Sequence, residues 1–359
     1  MRFLLFCTIL FQVACNVTLR RLRKGPAQPN WTWRTECILT LLQTYRRRGR
    51  GKSIAQMRRG IPEAPMPPHL KQRIDRKRVT LGGQPCERFT PKQQTPDAPI
   101  LLYLHGGAYC MGSSGTHRML IARICWASKA TVYALNYRLA PEHPYPCAIE
   151  DAVAAVLQLQ QEGVQPGRLF IAGDSAGGGL TLATLQTLRE QKNPLPSAAV
   201  LLSPWVDLTL SGESIDPHAP FDYVVRPALK NLAANYADPQ EHKSPLVSPM
   251  FADLAGLPPM LVQTGGAEAL YSENCTLVER AQAAGVDVTH EVTDEMFHVW
   301  QAFAFAIAEG RTAIASLGRF IQDHHQPWLD AQAAPPAPDH PGEHDGHPQS
   351  DAPRTGAPL

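Results

Sequence analysis

From Pro99 onward the chain alternates short, β-rich apolar runs with stretches of helical spacing. The apolar runs fall near 100–104, 131–136, 168–172, 198–203, 259–264 and 286–292. Helical runs are read at Cys147–Gln161, Gly178–Glu190, Pro227–Tyr236, Ser272–Ala284 and Val299–Ile307. This alternation predicts a mostly parallel sheet with helices on both faces. Ahead of it, Arg76–Thr90 reads as a hairpin with Gly82-Gly83 at its turn. Residues 1–75 read as helical, broken by Pro26, Pro29 and the Pro-rich run Ile61–Pro68. Between the fourth and fifth apolar runs lies Asp207–Leu257, longer than an ordinary connection. Its Pro-rich start and helical middle predict a cap insertion over 207–257. From Pro327 the chain is rich in Pro, Ala, Asp and His without periodicity, which predicts a disordered tail over 327–359. The expected layout is therefore a helical segment (1–75), an α/β domain (76–326) and a tail.

At 359 residues, 44% hydrophobic and 18% charged, the chain suits one large globular domain with added segments. A formal net charge of +2 makes no case for nucleic acid. The bases are unevenly placed, however. Arg20, Arg21, Arg23, Lys24, Arg46–Arg48, Arg58, Arg59 and the run Lys71–Arg78 make the first quarter basic. Two readings fit: a solvated helix face, or peripheral contact with an anionic membrane surface. The apolar run Phe3–Cys15 has the length of a signal h-region and is short for a bilayer span. Its only n-region charge is Arg2, and Gln12-Val13-Ala14 before Cys15 is a poor lipoprotein box. A cap or membrane-surface helix on a cytoplasmic protein is the favoured reading, with an export signal as the alternative. Eight scattered cysteines without a C-x-x-C pair fit buried thiols in a reducing compartment. There is no H-E-x-x-H, no metal-ligand spacing, and no cofactor motif.

The chemistry concentrates in Gly173-Asp174-Ser175-Ala176-Gly177, set between a strand-like run and a helix-like run. That is the context of a nucleophile elbow, with small flanking residues around a strained serine. A phosphate loop would need Gly-Lys-Ser/Thr, which is absent. About seventy residues earlier, His105-Gly106-Gly107-Ala108-Tyr109 leaves the first parallel strand. A glycine-rich turn there can aim amides at an oxyanion. Gly107 and Ala108, set up by Gly106, and Ala176 are the expected donors.

A base must reach Ser175. Of thirteen histidines, His298 occupies the loop after the last strand and comes last in chain order, the expected slot. The acid belongs in the loop after the penultimate strand, where Glu268 comes first. A carboxylate there would fix the His298 tautomer. Glu273 competes, and reads instead as an exposed first-turn residue.

These residues, with Tyr137-Arg138-Leu139-Ala140-Pro141-Glu142-His143-Pro144 and Met296-Phe297-His298, resemble the hormone-sensitive-lipase-like branch of the α/β-hydrolases. The resemblance is to its bacterial short-chain esterases and acetyl esterases and covers roughly Arg76 to Ile321. The resemblance implies an α/β-hydrolase fold with a helical cap, Ser175 as nucleophile, His298 as base and Glu268 as acid. It implies no cofactor or metal, and a small-molecule ester as substrate. N-terminal amphipathic helices that cover the active site are common in this branch. Arg138 and Glu142 read as structural, loop-bonding charges. Three departures stand out: Ala108 replaces a third glycine, Glu268 stands where aspartate is common, and Asn136 stands where aspartate often ends the strand. The expected activity is carboxylic ester hydrolysis on short- to medium-chain acyl groups through an acyl-enzyme. Amide or formamide hydrolysis on the same triad is the alternative within enzymes, and a binding module on a hydrolase scaffold the alternative outside them. The sequence leaves the oligomeric state open.

Overall fold

The computed structural model describes residues 2–333, with side chains from Cys7 onward. Four helices come first: α1 (Arg2–Lys24), α2 (Trp33–Gly49), α3 (Ile54–Gly60) and the short α4 (Pro68–Lys71). Thr32 caps α2 by accepting from the Thr35 amide, and Ser53 with Gln56 forms a capping box on α3. Strands β1 (Ile74–Leu81) and β2 (Gln84–Pro91) then form the expected hairpin, in register from Ile74↔Pro91 to Leu81↔Gln84. Gly82 and Gly83 both have positive φ, as a two-residue primed turn requires.

The parallel part begins at β3 (Ile100–Leu104), followed by α5 (Arg118–Ser128), β4 (Thr131–Leu135) and α6 (Cys147–Gln161). It continues through β5 (Leu169–Asp174), α7 (Ala176–Glu190), β6 (Ala198–Leu202) and α8 (Arg226–Tyr236), which lies in the expected cap insertion. It closes with β7 (Met260–Gly265), α9 (Tyr271–Ala283), β8 (Val288–Thr293) and α10 (Ala308–Ala333). The strands lie in the order β1-β2-β4-β3-β5-β6-β7-β8, antiparallel across β1, β2 and β4 and parallel from β4 to β8. The chain reverses direction across the sheet at β3. The loops leaving β3 and β5 are therefore neighbours at the carboxyl edge, where open α/β sheets bind ligands.

Period-two alternation fills both faces. Leu102 and Leu104 point into one core with α6, α7 and α8, while Leu101 and Tyr103 point into the other with α5 and α10. Both cores are apolar, as strands covered on two faces require.

Two expectations need correction. Residues 299–307 do not form an α-helix. Val299 is left-handed (φ 50°), only Trp300–Phe303 makes a 3-10 turn, and α10 starts at Ala308. The α-helix also runs past Pro327 to Ala333. An interior proline costs a helix about 3 kcal/mol, and contacts made by the residues on either side of it offset that here. His325 stacks on Trp328 at 5.4 Å and bonds the Asp97 carbonyl at 2.7 Å, and Trp328 lies on Gly167. The rest of the expected tail, 334–359, lies outside the described residues.

Candidate active site

Ser175 stands between β5 and α7 with φ 54° and ψ −123°, a backbone region that non-glycine residues rarely adopt. Close packing holds it there. A methyl group on Gly173 would strike the Gly177 carbonyl, and one on Gly177 would strike the Leu104 carbonyl. The Ser175 amide donates to the Leu202 carbonyl at 2.9 Å. Its own carbonyl accepts from the amides of Gly178, Gly179 and Trp205. Ser175 is thus tied to β6, to its own helix and to the loop after β6.

The turn after β3 is held from beneath by Asp174. Its Oδ1 accepts from the Gly106 amide at 3.0 Å and from the Tyr103 hydroxyl at 2.6 Å, and its Oδ2 lies 3.4 Å from His117 Nε2. Burial pushes Asp174 up, but the His117 charge and these hydrogen bonds outweigh it and hold the group at about 2. Gly106 therefore has no free amide and acts as the anchor of the turn. Gly107 (φ 120°), Ala108 (φ 53°) and Tyr109 (φ 58°) then follow with positive φ. Ala108 keeps the left-handed backbone that a third glycine would adopt freely, at a cost of about 1–2 kcal/mol. His105 is locked as well: its ring stacks on Tyr137 at 4.4 Å, and the Tyr137 hydroxyl donates to the His105 carbonyl.

The loop after β8 places His298 Nε2 2.9 Å from Ser175 Oγ. Glu268, in the loop after β7, places Oε2 3.6 Å from His298 Nδ1. That is longer than a hydrogen bond, and neither atom has another hydrogen-bond partner among the described residues. Such contacts often tighten only with substrate bound. Asn274 Nδ2 steadies the other Glu268 oxygen at 2.8 Å. The two loops are laced together by the Ala267 amide on the Met296 carbonyl and the Gly266 amide on the Thr293 carbonyl. Val299, left-handed and β-branched, is held by its amide on Ser203 Oγ at 3.0 Å. The structure thus brings Ser175, His298 and Glu268 into one line, with the turn at 106–108 and the Ala176 amide beside the serine.

Glu273, expected at the surface, is buried. Its Oε1 accepts from the Val206 amide at 2.9 Å, and burial raises its carboxyl well above the ordinary range. It supports the loop whose Trp205 amide holds the elbow. Arg138 pairs with Asp151 and Glu150, and Glu142 pairs with Arg58. These are structural ties.

Sequence reasoning missed Asp222, fully buried in the segment between β6 and α8. Its Oδ2 accepts from the Ala269 amide at 2.7 Å. Its Oδ1 accepts from the Tyr223 amide at 2.6 Å and the His298 amide at 3.3 Å. One carboxylate thus fastens the acid loop and the histidine loop to the cap. No motif marks it, because its partners lie 47 and 76 residues away. Burial raises Asp222 to about 6, against the pull of His298 and the amides. Burial also lowers His298, but Glu268, then Asp222 and Asp174, outweigh it and raise the imidazole above its ordinary value.

A family model described as the alpha/beta hydrolase fold matches residues 101–302. An acetyl-hydrolase of Streptomyces hygroscopicus is 44% identical over 245 residues, 68% of this chain and 81% of the relative. An esterase of Acinetobacter venetianus is 37% identical over 245 residues, 67% of this chain and 80% of the relative. Among solved structures, an esterase from the bacterial hormone-sensitive lipase family superposes with a TM-score of 0.71 at 39% identity, covering 89% of this chain and 98% of its own. A hormone-sensitive lipase from a metagenome library superposes with a TM-score of 0.74 at 37% identity, covering 80% and 97%.

The raised imidazole sets a pH prediction. A protonated His298 cannot take a proton from Ser175, so kcat/KM should fall as pH drops through a value above the ordinary histidine value of about 6.5. Asp222→Asn removes a nearby negative charge and one amide anchor. Its acid limb should shift to lower pH, and kcat should fall roughly 10- to 100-fold. A pH–rate profile of both proteins checks this. An unmoved limb would make Asp222 a purely structural residue.

Proposed function

The chain belongs to the α/β-hydrolase fold family, in its hormone-sensitive-lipase-like branch, and is a carboxylic ester hydrolase. From that premise we propose that it is a serine esterase of short- to medium-chain acyl esters, acting through an acyl-enzyme. The observation that carries this reading is the 2.9 Å contact from His298 Nε2 to a serine on a strained elbow.

Nε2 faces the serine hydroxyl as acceptor, so the ring proton sits on Nδ1, toward Glu268. Ser175 Oγ attacks the ester carbonyl carbon while its proton passes to His298 Nε2. The negative charge develops on the carbonyl oxygen beside the amides of Gly107, Ala108 and Ala176. Each such donor is typically worth about 3–4 kcal/mol. The carbon–oxygen bond to the alcohol breaks, and His298 returns its proton to the leaving oxygen. Water, deprotonated by the same imidazole, then releases the acid and restores Ser175. Glu268 compensates the imidazolium charge in both halves.

The acyl preference rests on two supports. One relative is named an acetyl-hydrolase. In addition, α8 closes directly on the oxyanion turn, with Tyr236 stacked on Tyr109 at 3.8 Å, which restricts room on that side.

Ser175→Ala and His298→Ala should each remove nearly all turnover of a chromogenic acetyl ester, and the double variant should be little worse than either. Groups that act as one unit lose their contribution together. Multiplicative losses in the double variant would contradict a shared step. Glu268→Gln should cost several orders of magnitude in kcat with the fold intact. A near-silent result would remove Glu268 from the triad.

Across an acyl series, each methylene should add about 0.8 kcal/mol only while it is buried. kcat/KM should therefore peak between about C2 and C8. A steady rise on emulsified long-chain esters would mark a true lipase, and faster turnover of arylformamides would move the assignment to amide bonds.

A further inference from the structure

The basic excess of the chain is concentrated at its start. Residues 1–62 hold thirteen lysines and arginines and one acid, Glu36, whereas the whole chain carries a net +2. Glu36 is buried and taken up by Arg20 and Arg21. Arg23, Lys24, Arg47, Arg48 and Arg50 are exposed, and none enters an ion pair among the described residues.

Exposed apolar side chains concentrate in the same place. Of ten large exposed hydrophobics among the described residues, seven precede residue 62. On α1 the buried residues Ile9, Val13 and Val17 recur at a spacing of four and pack against Cys37 and Leu41 of α2. The opposite face carries Phe11 (72% exposed), Leu19 and Leu22 (80% exposed) at i, i+8 and i+11. Trp33 and Tyr45 on α2 are exposed too, and Trp33 Nε1 donates to Thr18 Oγ1 of α1 at 3.0 Å. An isolated exposed leucine is ordinary, but an aligned apolar stripe beside unpaired cations is not. Among the described residues no helix is long and apolar enough to cross a membrane.

We propose that α1 and α2 form a peripheral docking surface for an anionic lipid bilayer. Phe11, Leu19 and Leu22 enter the headgroup boundary, and the free arginines and lysine face lipid phosphates. Charge decides between this occupant and a second copy of the chain. Pairing two such surfaces would bring two strongly basic segments together with a single acid each, already neutralised. The surface is also joined to the catalytic edge. The other side of α2 packs through Leu39 on Phe297 and Trp300, and Trp31 Nε1 donates to the Glu295 carbonyl at 2.6 Å. A docked enzyme would hold its histidine loop next to the lipid surface, where apolar esters accumulate.

The test is co-sedimentation of the full chain with vesicles of phosphatidylcholine alone or with one-third phosphatidylglycerol. Binding to the anionic vesicles should be at least about tenfold stronger and should weaken steeply with salt. Phe11→Ser with Leu22→Ser, and separately Arg47→Ser with Arg48→Ser, should each lose about tenfold or more of that binding. Both should turn over a soluble acetyl ester within about twofold of the parent, which separates lost docking from lost fold or lost catalysis. Equal binding to neutral vesicles, or salt-independent binding by the parent, would overturn the proposal without reference to any variant. So would a concentration-dependent dimer abolished by Phe11→Ser with Leu22→Ser. A mature protein isolated from its native cell that begins after Lys24 would lack the apolar stripe of α1 and would equally overturn it.

Discussion

The site depends on the backbone of one residue. Ser175 sits in a left-handed conformation that an L-amino acid resists, at a cost of about 1–3 kcal/mol. Nothing local would keep it there. Gly173 and Gly177 let β5, α7 and the end of β3 approach to backbone contact, and the Leu202 and Trp205 backbones bond the serine on both sides. Asp174, next in the chain, reaches under the oxyanion turn and fixes Gly106. Ser175 and the turn at 106–108 are thus positioned by adjacent residues of one strand end. The strain is the means of alignment.

The second half of the site is assembled from separate loops and needs more support. The loops of Glu268 and His298 are joined by two backbone hydrogen bonds and by the Ala269 and His298 amides that converge on Asp222. Asp222 comes from the cap, and α2 packs on the histidine loop from the N-terminal side. His298 and Glu268 are therefore held by segments outside the sheet. The long segment between β6 and β7 and the N-terminal helices thus support these two loops, and the basic, apolar N-terminal surface lies one helix away from His298.

What the sequence disclosed follows the range of the forces involved. The β5 strand, the Gly82-Gly83 turn and the elbow glycines are short-range facts, written in apolar periodicity and in the absence of a Cβ. The structure places Ser175, His298 and Glu268 together in the loops that chain order assigned to them. Glu273 was misread because a first-turn acid looks the same whether water or the Val206 amide receives it. Asp222 was invisible because its partners come from distant loops. Pro327 suggested a helix end, and the bond of His325 to the Asp97 carbonyl with Trp328 lying on Gly167 overrides it. Each miss is a tertiary contact outweighing a local preference.

The central claim is that Ser175 becomes acylated during turnover. The direct measurement is intact-mass spectrometry after mixing the enzyme with a chromogenic acetyl ester and quenching in acid, followed by peptide mapping. The account predicts a mass increase of one acetyl group located on Ser175, and none in Ser175→Ala. Full ester turnover by Ser175→Ala, or an acetyl group trapped at another side chain with Ser175 unmodified, would contradict it.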